Sequence, residues 1–432
     1  YTTKFGKYID FYGGVDFRYY KGTHTNEISD LYGGQYFMDS TRGDVLAENN
    51  IAAADPMWKY EKLGVGDVVY RDYDGHVMQE GAFFQSEFNK DKLSAFVAGS
   101  LSNTTYWRYD RLFYDKAHAK SDKVSFLGFT AKGGANYNIT ENHNVFFNLG
   151  YISRAPKFSY GAFMQANASH AINKDAKNEK VLSFELGYGF RNSWLTANVN
   201  AYWTKWLDKA MTKSGQLDNQ ERTEYYMNMT GVNALHKGVE LKVTPVKWLD
   251  ITGMFSLGDW KWDSNATGYA YDDKGMPLKE DGTQASGIGA PDHVSASINL
   301  KGVRVGGSAQ TTAALGATFK IGKSIRVGAD WTYYGRNYAY YSFSGSDLKL
   351  GKEISIAEPW KVPAASQIDM NASYRFKLGK LDATLSGNVN NLLDYQYISK
   401  AYNPKSGVVS EETIYCYYAF GRTYSLRLRV NF

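Results

Sequence analysis

The sequence predicts an all-β fold, a transmembrane antiparallel barrel of about fourteen strands, and three observations predict it. Stretches of about ten residues alternate apolar and polar with a period of two, the pattern of a strand whose faces meet different solvents. The junctions between these stretches alternate between tight turns and long loops. Tyrosine, with 35 copies, outnumbers phenylalanine (23) and tryptophan (10), which suits interfacial girdles better than a dry core that would have to pair so many hydroxyls.

The elements follow in order. A strand at 5–19 leads into a long connection over 20–75. Strands at 76–88 and 92–107 meet at NKDK, and after a loop over 108–123 strands at 124–138 and 143–153 meet at ITENHN. The loop over 154–179 precedes the clearest hairpin, KVLSFELGYGF-RNSW-LTANVNAYWTKW, with strands at 180–191 and 194–208. Leu182, Phe184, Leu186, Tyr188 and Phe190 fall on one face, and Ser183, Glu185, Gly187, Gly189 and Arg191 on the other. Loop 209–231 leads to strands at 232–246 and 248–261 about VKW. Loop 262–308 leads to strands at 309–320 and 324–338 about IGKS. Loop 339–364 leads to strands at 365–377 and 380–393 about KLGK. Loop 394–419 precedes the last strand, 420–432, where Tyr424, Leu426, Leu428, Val430 and Phe432 alternate with Ser425, Arg427, Arg429 and Asn431. Short turns on one side and long loops on the other make the turns periplasmic and the loops extracellular. A compact soluble domain would use shorter connections, and a propeller would show a fixed repeat.

Composition excludes several classes. Mean hydropathy is −0.46, and no run of 18 apolar residues exists, so helical membrane spans are excluded. The single Cys416 excludes an internal disulfide framework and a cysteine zinc cluster. A net charge of +5 spread over mixed signs, with no basic block, gives no support for nucleic-acid binding. No signal peptide precedes Tyr1, so the expectation is a processed or partial chain.

Several motifs then carry a resemblance. LGYISRAPKFSYGAF (149–163) contains Arg154, Ala155 and Pro156, and KNEKVLSFELGYGF (177–190) contains Asn178 and Glu179. Near the end, NVNNLLDYQY contains Asn390, Asn391, Leu392, Asp394 and Tyr397, followed by the aromatic-ended last strand. These boxes resemble those of the TonB-dependent outer-membrane receptors. The resemblance implies a 22-stranded barrel around an N-terminal plug, with residues 1–432 as the C-terminal barrel portion. The plug and the first strands would come from elsewhere in the same protein or from a second chain. It also implies active uptake of a scarce, large solute captured at the loops, with energy from the TonB–ExbB–ExbD complex reaching a TonB box in the missing part. A surface lipoprotein is an optional partner. Tyr424 and Phe432 resemble the signal read by the barrel assembly machinery. The alternative is a self-closed fourteen-strand passive channel resembling the long-chain fatty acid transporters.

Candidate binding residues are few. Haem receptors of the family place a histidine in the loop that here holds His170. The aromatic run near 333–343 offers Tyr338, Tyr340, Tyr341 and Phe343, with Tyr417 in a neighbouring hairpin, as rings able to stack on a ligand. DSNATGYAYDDKG (263–275) begins like a calcium loop but carries Lys274 where a bidentate glutamate is needed. The histidines show no metal-ligand spacing, and neither a nucleophile elbow nor a carboxylate–histidine constellation is present, so no enzyme, cofactor or metal is expected.

Overall fold

In the computed structural model, fifteen strands form one continuous antiparallel sheet in which every strand pairs with its neighbour along the wall. The structure describes all residues except 165–168, 210, 218, 220–222, 231–232, 246–248, 273, 342–350 and 406. Fourteen of the fifteen strands overlap the expected ones; the extra strand, Thr2–Phe5, turns at Gly6 and folds back on Ile9–Glu27. The expected turn at VKW lies outside the described residues.

Register explains the alternation. Leu186 faces Phe147 on one side and Ala201 on the other, while Glu185 on the opposite face meets Asn148 and Tyr202. The amide of Asn148 donates to Glu185 Oε2 at 3.1 Å. One face is therefore an apolar surface with nothing packed on it: Leu186 is 52% and Leu101 54% exposed. Water would not tolerate such a surface over a whole wall; lipid requires it. On Val124–Asn138 the apolar alternates run from Leu127 to Tyr137, about the span needed to cross a bilayer at a tilt.

Turn chemistry fixes the tight ends. The side chain of Asn192 accepts from the amides of Trp194 and Leu195 at 3.0 and 2.8 Å. In IGKS and KLGK, Gly322 and Gly379 hold φ of +60° and +63°, a conformation that costs a side-chain-bearing residue more. The other ends rise above the membrane. Val68–Lys90 runs for 23 residues and Leu93–Asp110 for 18, so the first long connection is shorter than expected and covers 28–67 rather than 20–75.

The sheet has two edges. Thr423–Asn431 pairs with Leu381–Asn390, and among the described residues no ladder joins it to Thr2–Phe5 or Ile9–Glu27.

The long loops are folded. Met211–Gln216, Glu224–Thr230, Ala266–Tyr271, Ser295–Asn299 and Glu353–Ser355 form a second, five-stranded sheet over the wall. Its core contains fully buried Tyr225, Met227, Ile298 and Leu300, closed from below by Ala234 and Trp262 at the tops of wall strands. The calcium-like segment is one of these strands: Ala266–Tyr271 pairs with Glu224–Thr230 and Ser295–Asn299. Asp263 pairs with Lys205 and Asp272 caps a turn, accepting from the amides of Lys274 and Met276. The first loop carries three short 3-10 turns, Ser40–Asp44, Ile51–Ala54 and Trp58–Tyr60, and Arg42 ties the first to the third. Arg42 stacks 4.8 Å from the Trp58 ring and pairs with Glu61.

Candidate binding rim

The wall delivers the candidate residues to three different places. Tyr338 lies in Asn337–Tyr338, paired with Lys361–Val362, and the guanidinium of Arg304 sits 5.4 Å over its ring. Tyr340 stacks on Tyr402 at 5.2 Å, and Tyr402 meets Tyr417 edge-on at 6.2 Å. The ammonium of Lys400 lies 5.2 Å from the Tyr340 ring and 4.9 Å from that of Tyr402. Lys400, Tyr402 and Tyr417 are supplied by the hairpin Ile398–Tyr402/Tyr415–Tyr418, and Tyr417 is 63% exposed. Tyr340, Tyr402 and Tyr417 form one open aromatic surface with the Lys400 ammonium on it.

Tyr341 is elsewhere. It packs into the core of the second sheet, edge-on to Trp262 at 5.7 Å, with its hydroxyl 3.6 Å from Met211 Sδ. Burial holds its phenol well above the usual tyrosine range. It is thus a core residue, packed against the buried cluster of the second sheet. Phe343 lies outside the described residues.

His170 occupies a third place. Its ring stacks on Tyr114 at 3.7 Å, its Nε2 lies 3.0 Å from the Ala119 carbonyl, and its backbone amide donates to the Tyr114 hydroxyl. Burial, reinforced by the Arg108 guanidinium, pulls its pKa down to about 4, so the imidazole is neutral and its Nε2 carries the proton toward the carbonyl. It borders a cleft of about 450 Å³ that Asp44, Asn49, Lys174 and Lys274 also line. With Nε2 engaged, this histidine ties the 108–123 loop to the 154–179 loop.

The TonB-dependent receptor-like β-barrel family model matches residues 1–392. The chain belongs to that family. Members of the family are outer-membrane transport proteins rather than enzymes. No curated protein matches the chain at the level of sequence. Among solved structures, the ferric-catecholate import receptor Fiu from E. coli K12 matches at 15% identity over 99% of this chain and 52% of its own, with a TM-score of 0.56. The ferric citrate transporter FecA matches at 12% identity over 99% and 52%, TM-score 0.58. The copper transporter OprC matches at 14% over 99% and 55%, TM-score 0.57. The chain thus spans about half the length of these receptors. These three proteins are named for different cargoes, ferric catecholate, ferric citrate and copper, at the same similarity, so the fold alone does not choose a solute.

The receptor motifs have a physical account here. Arg154, ending His143–Arg154, pairs with Glu179, opening Glu179–Arg191, at 2.7 Å, and its guanidinium lies 5.5 Å over Trp206. Asn178 donates to the Leu127 carbonyl at 2.7 Å and to Ser153 Oγ at 3.0 Å. The Pro156 carbonyl accepts from the Tyr106 hydroxyl, while Ala155 packs beside Tyr106 and Phe163. These two boxes anchor a loop root. The second motif anchors another. Asn391 accepts from the Tyr395 amide and donates to the carbonyls of Tyr395 and Phe420, and Asp369 Oδ1 accepts from its backbone amide. Asp394 accepts from the Arg422 amide at 2.7 Å, and Tyr397 donates to Gln367 and stacks on Tyr334. Asn390 donates to Thr423 across the last ladder, and the Leu392 amide donates to the Ile368 carbonyl. Tyr424 and Phe432 lie exposed on the lipid-side row of the last strand.

Lys400 and Tyr402 were not legible as members of the rim. Their partner Tyr340 is about sixty residues away in sequence, and only the folded hairpin brings them together.

Proposed function

We propose that this chain forms the wall and part of the capture rim of an outer-membrane active transporter. A scarce, large solute binds at the folded loops and enters with energy that TonB–ExbB–ExbD delivers to a plug domain lying outside these residues. Family membership supports the transport class. The observation that carries the recognition part is the open surface of Tyr340, Tyr402 and Tyr417 around Lys400. Stacked phenols fix contact area at low entropic cost, and a cation beside them favours an anionic or chelate-bearing solute. His170 belongs to the loop packing rather than to this surface. A self-closed passive channel finds no support in a last strand that, among the described residues, is paired along one edge alone, since an open edge within a membrane leaves backbone groups unsatisfied.

The test uses the full-length receptor in cells with and without TonB. Binding of ferric siderophores, haem, cobalamin and oligosaccharides is measured on the purified protein, and uptake of whichever binds is measured in the two strains. Binding without TonB and uptake only with TonB is the expected pair of results. Equal uptake in the strain lacking TonB overturns active transport. Undiminished binding by a Lys400→Gln, Tyr417→Ala variant overturns the rim.

A further inference from the structure

The outward face of the wall is apolar until it meets a row of cations. Leu182 faces Lys205 across one ladder, Lys205 faces Leu235, Leu235 faces Lys261, and Lys261 bridges to Arg304. One step toward the membrane, Phe184 faces Trp203, Trp203 faces Lys237, and Lys237 faces Asp259. Directly opposed residues share a face of a sheet, so these side chains stand on the same face as Leu182, Phe184 and Leu186. That is the lipid side, at the loop-bearing ends of four adjacent strands. Lys180 joins the row from the first of them.

The row is half-exposed and unevenly compensated. Lys180 pairs with Asp208 at 2.9 Å and Lys205 with Asp263 at 2.5 Å. Asp259 serves three cations: Arg304 at 2.7 Å, Lys261 at 3.6 Å and Lys237 at 3.7 Å. Glu358 reaches Arg304 only at 4.0 Å. Lys237 and Lys261, more than two-fifths exposed in their side chains, hold the long contacts. A second outward arc behaves differently. There Arg111 is clamped between Asp72 and Asp74, and Lys21 also pairs with Asp74 at 3.0 Å, so the charge is closed on itself.

A lysine standing just above an apolar, lipid-facing surface lies at the height of the headgroups, with its stem along the wall and its ammonium in the polar layer. The loops lie on the same side, so the headgroups are those of the outer leaflet. We propose that Lys205, Lys237 and Lys261, with Arg304, form a docking site on the outside of the wall for a phosphorylated glycolipid of the outer leaflet. Its phosphates would take the place left by the carboxylate that three cations now share, and its acyl chains would lie on Phe184, Leu186 and Leu257. This site adjoins the rim at Arg304, whose guanidinium also lies over the Tyr338 ring, but its test uses only Lys237 and Lys261, and it does not depend on the transport reading.

The test uses the full-length protein extracted from outer membranes and stripped of bound lipid. Retention of bis-phosphorylated lipid A and of its dephosphorylated form is measured by native mass spectrometry. The Lys237→Gln, Lys261→Gln variant keeps Arg304 on Asp259 and Lys205 on Asp263, and its barrel is verified by heat-dependent gel migration. Each cation near a charged membrane surface contributes about five-fold in binding, so the variant should retain the phosphorylated lipid roughly twenty-five-fold less well. Lys21→Gln, on the closed arc, should change nothing. Equal retention by wild type and the double variant overturns the site, as does equal retention of the two lipid forms by wild type. Inorganic phosphate competing as well as the lipid does would also overturn it, by making the site a free-anion site. If the double variant fails to form a barrel, Lys237→Gln alone is read the same way with about a five-fold expectation.

Discussion

The wall and the roof of this chain use the same strand alternation for opposite ends. In the wall, Leu186, Leu101 and Leu257 sit half-exposed with nothing packed on them. In the roof, Tyr225, Met227 and Ile298 are sealed within one small core. The difference is the solvent. Lipid accepts an apolar row as it stands, whereas extracellular loops in water must bury theirs against each other. A roof built this way is a folded layer with its own stability, seated on wall residues Ala234 and Trp262, rather than a set of independent loops.

The sharpest way to separate the two is to damage one at a time. Ile298→Ala removes a fully buried side chain from the roof core and should cost about 2–5 kcal/mol locally. Limited proteolysis within 209–308 should accelerate while the barrel keeps its heat-dependent gel migration. Loss of the barrel itself would show that roof and wall fold as one unit. Leu186→Arg makes the complementary cut, placing a charge in mid-bilayer at about 2–4 kcal/mol. The barrel yield should fall while Glu185→Gln, one residue away and facing the lumen, leaves it unchanged.

How much of this was legible in the sequence follows from the same contrast. Wall strands announce themselves because alternation and register are local; the residues of RNSW and KLGK set their own turns, and Leu186 and Glu185 could be assigned to faces from the period alone. The motif boxes could be named, but the Arg154–Glu179 pair that explains them needed the ladder. The roof was read as loops. Its strands are only three to seven residues long, and their partners lie far apart in the chain, as Ser295–Asn299 beside Glu353–Ser355 shows. The aromatic run near 340 was split by the fold for the same reason: Tyr340 joined a distant hairpin and Tyr341 the roof core.

A smaller effect probes the seam between two loops. His170 is held neutral in the folded protein, with a pKa near 4 against an ordinary value of 6.5. The unfolded loop therefore binds a proton that the folded one refuses between those values, and its contribution is whole above about pH 6.5 and lost progressively toward pH 4. Protease susceptibility of 108–123 and 154–179 should rise as pH falls through that window, and His170→Leu should flatten the rise. An equally steep profile in the variant would assign the response to a group other than His170.

The finest distinction is the face of a single strand. Replacing the lone Cys416 with serine clears the background, and Glu185→Cys and Leu186→Cys then differ by one position and by solvent. Glu185 meets Asn148 across the lumen face, so the thiol placed there should react with a charged, water-soluble maleimide in intact outer membranes. Leu186 lies between Phe147 and Ala201 on the apolar row, so its thiol should resist that reagent and react with a membrane-partitioning one. Because the side-chain period is two, a slip of one residue would exchange the two results completely. Reversed labelling would break the register of the whole 179–207 hairpin, and with it the outward placement of Lys205 and Lys237.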